Sequence, residues 1–240
     1  MKGKKGFGIT MFIILGIIIL IIVGFFIAVR GELVSLIKPR GSDAGAVQIY
    51  AENCLDSVAK YSAYTIGKQG GSIYLNPNHF ASLFLGVNYA FEGSKTFPSM
   101  DSLKLEMEQF IDGNLKNCTD GFRGFKQMGM QIEEGDVNST VILGPKSFIV
   151  RVDYPIKIIS GDRETSIDVI QKEIPINLGR IFTETDNFVS GFSDRYNLTY
   201  LRGRSSSTYI IPFDEADLFV ESSTESRLFG DNYLFLYSVR

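Results

Sequence analysis

One histidine and two cysteines are all that 240 residues offer toward nucleophilic or zinc chemistry. A Ser-His-Asp or Cys-His group would have to use His79, and neither a nucleophile elbow nor a Cys-His signature accompanies it. Zinc needs several His or Cys ligands, which the chain lacks. No glycine-rich phosphate loop is present. Gly67-Lys68-Gln69-Gly70-Gly71 ends a helical pattern instead of opening one, so the helix dipole has the wrong sense for an anion. Asp214-Glu215-Ala216-Asp217 does not match an EF-hand loop and reads as a solvated acidic turn. Glu133-Glu134-Gly135-Asp136 reads as a hairpin tip, and His79, beside Pro77-Asn78, as a turn residue. Internal repeats and low-complexity runs are missing too. The residues therefore show no catalytic, cofactor or metal motif, while the many carboxylates, any two of which acid-base work could pair, are not paired by sequence alone.

Charge is absent from one long stretch, Ile9 to Val29, and this stretch organises the rest. At about 1.5 Å per residue it spans roughly 31 Å, the thickness of a bilayer's hydrocarbon core. A cleavable signal has a shorter apolar region and a small-residue cleavage site. Here Arg30 follows directly, which predicts a retained membrane helix. Gly16 and Gly24 lie eight residues apart and do not form the Gly-x-x-x-Gly spacing of a packing motif. The expected organisation is a basic head at 1–8, a transmembrane helix at 9–29, a juxtamembrane linker at 30–43 and a folded domain at 44–240.

Residues 1–40 carry Lys2, Lys4, Lys5, Arg30, Lys38 and Arg40 against Glu32 alone, a net charge of +5. With −3 overall, the remainder carries −8. Such a domain is a poor partner for nucleic acid. The expected partners are the lipid bilayer and other envelope proteins. Charges on the two flanks of the span nearly balance, with a slight preference for the N-terminus inside. The domain is then extracytoplasmic. Asn138-Ser139-Thr140 and Asn197-Leu198-Thr199 are glycosylation sequons consistent with that side; Asn117-Cys118-Thr119 also matches.

The pattern over 44–68 is helical, with Val47, Ala51, Cys54, Val58, Tyr61 and Thr65 recurring at three and four, and Gly70-Gly71 as the stop. Strands are expected at Ser72–Asn76 and within Ala81–Phe91. A second helix runs from Met100 to Cys118 behind Ser99 as cap. Four strands follow, Met128–Glu134, Val137–Leu143, Ser147–Ile159 and Thr165–Ile174, whose short connections predict an antiparallel meander. A third helix is expected over Arg180–Tyr196, a loop over Leu201–Thr208, and closing strands at Tyr209–Phe213 and Tyr233–Val239. The fold class is α+β: an antiparallel sheet packed with two or three amphipathic helices. Cys54 and Cys118 fall on the apolar faces of the first two helices. Outside the cell they close one disulfide; in a reducing compartment they are two buried thiols. The residues alone leave both readings open.

Two resemblances add to this. Lys4-Lys5-Gly6-Phe7 resembles the processing site of archaeal type IV pilin-like signal sequences, which implies cleavage between Gly6 and Phe7. Many pilins carry Glu five residues into the mature chain, where this one has Met11. KKGFGITMFIILGIIILIIVG, VQIYAENCLDSVAKYSAYTIGKQGGSIYL, the lead into the helix ending at Cys118 and the terminal FLYSVR resemble a group of uncharacterised single-pass membrane proteins from small-genome archaea. That resemblance implies an anchored, exported α+β domain with its two cysteines paired, and it brings no activity. The expected role is a structural or binding protein of the cell envelope. The alternatives are a pilin-like filament subunit and a carboxylate-based hydrolase of surface glycan.

Overall fold

The computed structural model describes residues 43–82, 85–192 and 206–240. The expected span at 9–29, its flanks, the Gly6-Phe7 junction, Asn197 and the end of the expected third helix lie outside these residues. No helix among the described residues is long and apolar enough to cross a membrane. The chain divides into two compact units, 1–46 and 47–240, and the second holds every described strand.

Helix α1 (Asp43–Lys68) buries Val47, Ala51, Leu55, Ala59, Ser62, Ala63 and Ile66 along one stripe. The stripe drifts from the one expected: Tyr61 stands outside it, 55% exposed. The stop is as expected. Gly70 and Gly71 take φ of +80° and +86°, and the Gly71 N–H donates back to Ile66 O at 3.0 Å, closing the helix end with a left-handed turn.

Ser72–Asn76 is not the expected strand. Its backbone is satisfied by side chains and not by a ladder: the Ile73 N–H donates to Glu106 Oε2 (2.7 Å) and the Asn76 N–H to Asn88 Oδ1 (2.7 Å), while Tyr74 O accepts from Asn88 Nδ2 (2.9 Å). The strand comes later, as β1 (His79–Ser82) paired antiparallel with β2 (Leu85–Phe91). His79 thus opens a strand and is not a turn residue; its Nδ1 lies 2.6 Å from Asn76 O.

Helix α2 (Met100–Thr119) starts at Ser99, whose side chain accepts from the Ser102 N–H. It buries Leu103, Met107, Ile111 and Leu115 at four-residue spacing. A short helix α3 (Arg123–Gln127) follows a 3₁₀ turn. Next come β3 (Gln131–Glu134), β4 (Asn138–Leu143), β5 (Phe148–Ser160) and β6 (Arg163–Ile174). Here the expected hairpin tip at Glu133–Asp136 is overturned. β3 pairs with Ile156–Ile159 and β4 with Phe148–Asp153, both antiparallel along the same edge of β5. They are one run interrupted by a bulge at Gly135. A Cβ there would sit 3.2 Å from the Pro155 ring, and the Gly135 N–H donates to Pro155 O. The glycine marks a close approach, not a reversal. β6 takes the other edge of β5, so the meander expected after β4 holds. Two carboxylates of α2 serve the backbone of β4: Asp112 accepts from the Ser139 N–H (2.8 Å) and Glu108 from the Val141 N–H (2.9 Å).

Helix α4 (Leu178–Ser190) is shorter than expected and ends at Gly191. The strands β7 (Ser206–Pro212), β8 (Asp217–Leu228) and β9 (Asp231–Val239) complete a five-stranded sheet of order β1-β2-β9-β8-β7, parallel only between β2 and β9. β7 begins inside the expected loop, and β8 was not expected at all. One face of β9 presents Tyr233, Phe235 and Tyr237. Tyr233 donates to Ala63 O of α1 (2.9 Å), while Phe182 and Phe188 of α4 meet Phe235 and Tyr237 edge-on at 6.4 Å. On the other face Leu236 joins Phe80, Val87, Tyr89 and Leu218 in an apolar cluster. The result is α+β with mostly antiparallel sheets.

Candidate functional site

Cys54 of α1 and Cys118 of α2 form a disulfide with Cα atoms 5.7 Å apart. It clamps the two helices, and Tyr50 reinforces the join by donating to Cys118 O (3.3 Å). Beside the clamp a cleft of about 630 Å³ lies between the helices and the β8–β9 turn. Its lining includes Val58 and Cys118 together with the rings of Tyr61, Phe110 and Phe229.

Four rings form a continuous row. Tyr61 lies nearly parallel to Phe110 (6.0 Å, 25°) and to Tyr64 (6.1 Å, 29°), and Tyr64 meets Phe229 at 6.1 Å and 64°. Lys68 Nζ sits 5.8 Å from the Tyr64 ring centre. The row is cheap to build: Tyr61 and Tyr64 are three apart on α1 and project side by side.

Phe229 is costly. It occupies the first position of the two-residue turn between Leu228 and Asp231, with φ of +53°, followed by Gly230 at +96°. Such turns need positive φ at both positions and favour Asn or Gly. For a residue with a Cβ the left-handed region costs about 1–2 kcal/mol. Burial does not repay it, since Phe229 is 64% exposed. A strained backbone here holds an aromatic ring in the open.

The polar groups of the cleft are uncharged. Asn114 and Asn117, both lining the cleft, donate their Nδ2 groups to Phe110 O (2.8 Å) and Gly113 O (3.1 Å) of their own helix, which leaves Oδ1 as the acceptor of each amide. Ser57 adds a hydroxyl. No carboxylate, lysine or arginine lines it. An uncharged slot with aromatic walls and amide acceptors suits a neutral ligand that has both apolar faces and hydroxyl groups.

The other expected sites are dispersed. Asn138 is exposed at the start of β4, while the sequon at Asn117 has its central Cys118 in the disulfide. Asp214 to Asp217 lie at the β7–β8 turn, which is closed by the Phe213 N–H donating to Ala216 O (3.0 Å). No group of three or more His, Cys, Asp or Glu able to hold a metal occurs among the described residues. Glu134, from the overturned hairpin tip, accepts a hydrogen bond from buried Tyr154. Burial first, then that bond, pushes the Tyr154 hydroxyl well above the ordinary tyrosine range. The pair ties β3 to β5. Sequence reasoning assigned Tyr61 to the core and overlooked Tyr64 and Phe229. The signals were the Tyr-x-x-Tyr spacing, and a Phe-Gly pair between two strands, of which β8 went unseen. No family model, no curated protein and no solved structure matches the chain.

Proposed function

We propose that the chain is a single-pass binding protein of the cell envelope, with its N-terminus cytoplasmic and its domain extracytoplasmic, and that the helix cleft holds a neutral glycan. The observation that carries this reading is the aromatic row ending on strained, exposed Phe229. Sugar rings lay their C–H faces on aromatic rings, and their hydroxyls donate to amide oxygens such as those of Asn114 and Asn117. The disulfide supports an oxidising compartment, and the uncharged stretch at 9–29 supports the anchor. The cleft has no carboxylate on its walls, so a hydrolase has no acid there.

The test is affinity electrophoresis of the full chain in detergent through gels containing soluble mannan, glucan or galactan. Retardation by at least one, lost in Tyr61→Ala and Phe110→Ala, is expected; equal migration in all of them defeats the glycan reading. Protease added to whole cells should remove the domain, whereas protection alongside cytoplasmic markers would reverse the topology. Lys4-Lys5-Gly6-Phe7 favours a second reading, a processed pilin-like subunit. N-terminal sequencing separates the two: a mature chain beginning at Phe7 supports the filament subunit, and an intact Met1 does not.

A further inference from the structure

The aromatic row runs beyond the cleft beside the disulfide. Phe229 also lines a second cleft, of about 190 Å³, with Tyr64 and Lys68 of α1 and Asp231, Asn232 and Tyr233 of β9. Tyr61 and Phe110 line the first cleft and Tyr64 the second, so the rings Phe110, Tyr61, Tyr64 and Phe229 lead from one to the other.

The two clefts differ in chemistry. The first is uncharged. In the second, the Tyr64 hydroxyl, the Lys68 ammonium, the Asp231 carboxylate and the Asn232 amide have no hydrogen-bond partner among the described residues. Lys68 only lies near the Tyr64 ring, and it forms no ion pair with Asp231 although both line the same cleft. Asp231 and Asn232 are exposed and Lys68 is half-buried, so all three are open to a ligand. Tyr233 is the contrast: it is buried and spends its hydroxyl on Ala63 O. One positive and one negative group leave this cleft without net charge, so it has no general pull on an ion. Each is nonetheless a strong partner for a hydroxyl, since bonds to an ionised group are roughly twice as strong as neutral ones. The carboxylate accepts, the ammonium donates, and the phenol and the amide do both. A sugar unit matches that set, because its hydroxyls donate and accept in fixed directions.

We infer that the second cleft is a subsite that takes one further sugar unit by its hydroxyls, with Asp231 as acceptor and Lys68 as donor, so that the ligand is a neutral oligosaccharide lying along the row and across Phe229. This rests on the glycan reading above and adds the length of the ligand and the residues that select it. Stacking on the row tolerates many sugars, whereas a site that bonds particular hydroxyls rejects a sugar that lacks them. The test runs the full chain in detergent through the mannan, glucan and galactan gels, with soluble oligomers cut from the polysaccharide that retards it most as competitors. Oligomers of three or more units should release the protein at concentrations several-fold below those needed of the monosaccharide. Asp231→Ala and Lys68→Met should each weaken retardation several-fold and shrink that advantage of the longer oligomers. Asp231→Asn, which keeps an acceptor oxygen, should retain more of both than Asp231→Ala. The thermal midpoints of these variants should stay near that of the unaltered chain, since neither side chain bonds another described residue. No retardation of the unaltered chain removes the glycan reading and this subsite together. Retardation that Tyr61→Ala abolishes but Asp231→Ala and Lys68→Met leave untouched keeps the glycan reading and overturns the subsite alone.

Discussion

At the scale of single residues, Phe229 separates stability from binding. Asn adopts positive φ more readily than Phe. Phe229→Asn should therefore raise the stability of the domain by about 0.5–1 kcal/mol, a few degrees in midpoint for a chain of this size. The same change should weaken retention on glycan gels. A midpoint that falls would mean that the ring's contact with Tyr64 outweighs the backbone strain. Tyr233 makes a prediction with a definite sign in pH. Burial pushes its hydroxyl far above the ordinary tyrosine value, so the native state keeps a proton that the unfolded chain releases above about pH 10. Stability is fully present below that pH and falls as pH rises, by about 1.4 kcal/mol per pH unit for each such tyrosine. Tyr154 acts in the same direction. Denaturation of Tyr233→Phe should show a shallower alkaline decline. At neutral pH it should lose about 1 kcal/mol through the missing bond to Ala63 O.

At the scale of elements, two helix glycines of identical chemistry should respond in opposite ways. Gly113 is exposed on α2, and a Cβ added there would meet nothing within 4 Å, so Gly113→Ala should stabilise by about 0.5–1 kcal/mol. In α1, a Cβ at Gly67 would lie 2.4 Å from Leu234 O and 2.8 Å from the Tyr233 hydroxyl. That overlap pushes α1 off β9 and should cost about 1–3 kcal/mol, more than the gain in helix propensity. Urea melts of the pair would check both signs. The helices were legible because apolar spacing and caps agree, as Ser99, Leu103, Met107 and Ile111 show in α2. β8 was illegible because its apolar residues crowd its two ends, Leu218 to Val220 and Leu228, while the buried positions between them are polar. Ser223 and Ser226 are buried against Asn177, and Glu221 accepts from Thr185 and Tyr237, so the middle of the strand has no apolar alternation to read. Gly135 misled for a related reason. A glycine needed for contact with Pro155 looks, in one dimension, like a glycine needed for a turn. The aromatic cleft was hidden because exposed Tyr61 keeps the same helical spacing as the buried Val47, Ala51, Cys54 and Val58.

At the scale of the whole molecule, the disulfide spans a sequence separation of 64 residues and joins the first two long helices. A loop of that length is worth about 4 kcal/mol in the chain-entropy treatment. Reduction, or Cys54→Ser with Cys118→Ser, should lower the denaturant midpoint accordingly and loosen the aromatic cleft, which Cys118 lines. Unchanged midpoints before and after reduction would contradict this. The sheet order has a different consequence. β9 is the centre of five strands, hydrogen-bonded to β2 on one side and β8 on the other, yet it spans residues 231–239. Until those residues leave the ribosome or the translocation pore, β1 and β2 have no neighbour to join, and α1 lacks the Tyr233 to which Ala63 bonds. A polypeptide halted before Asp231 is left with its greasy surfaces bare, an easy prey for the proteases that patrol for stragglers.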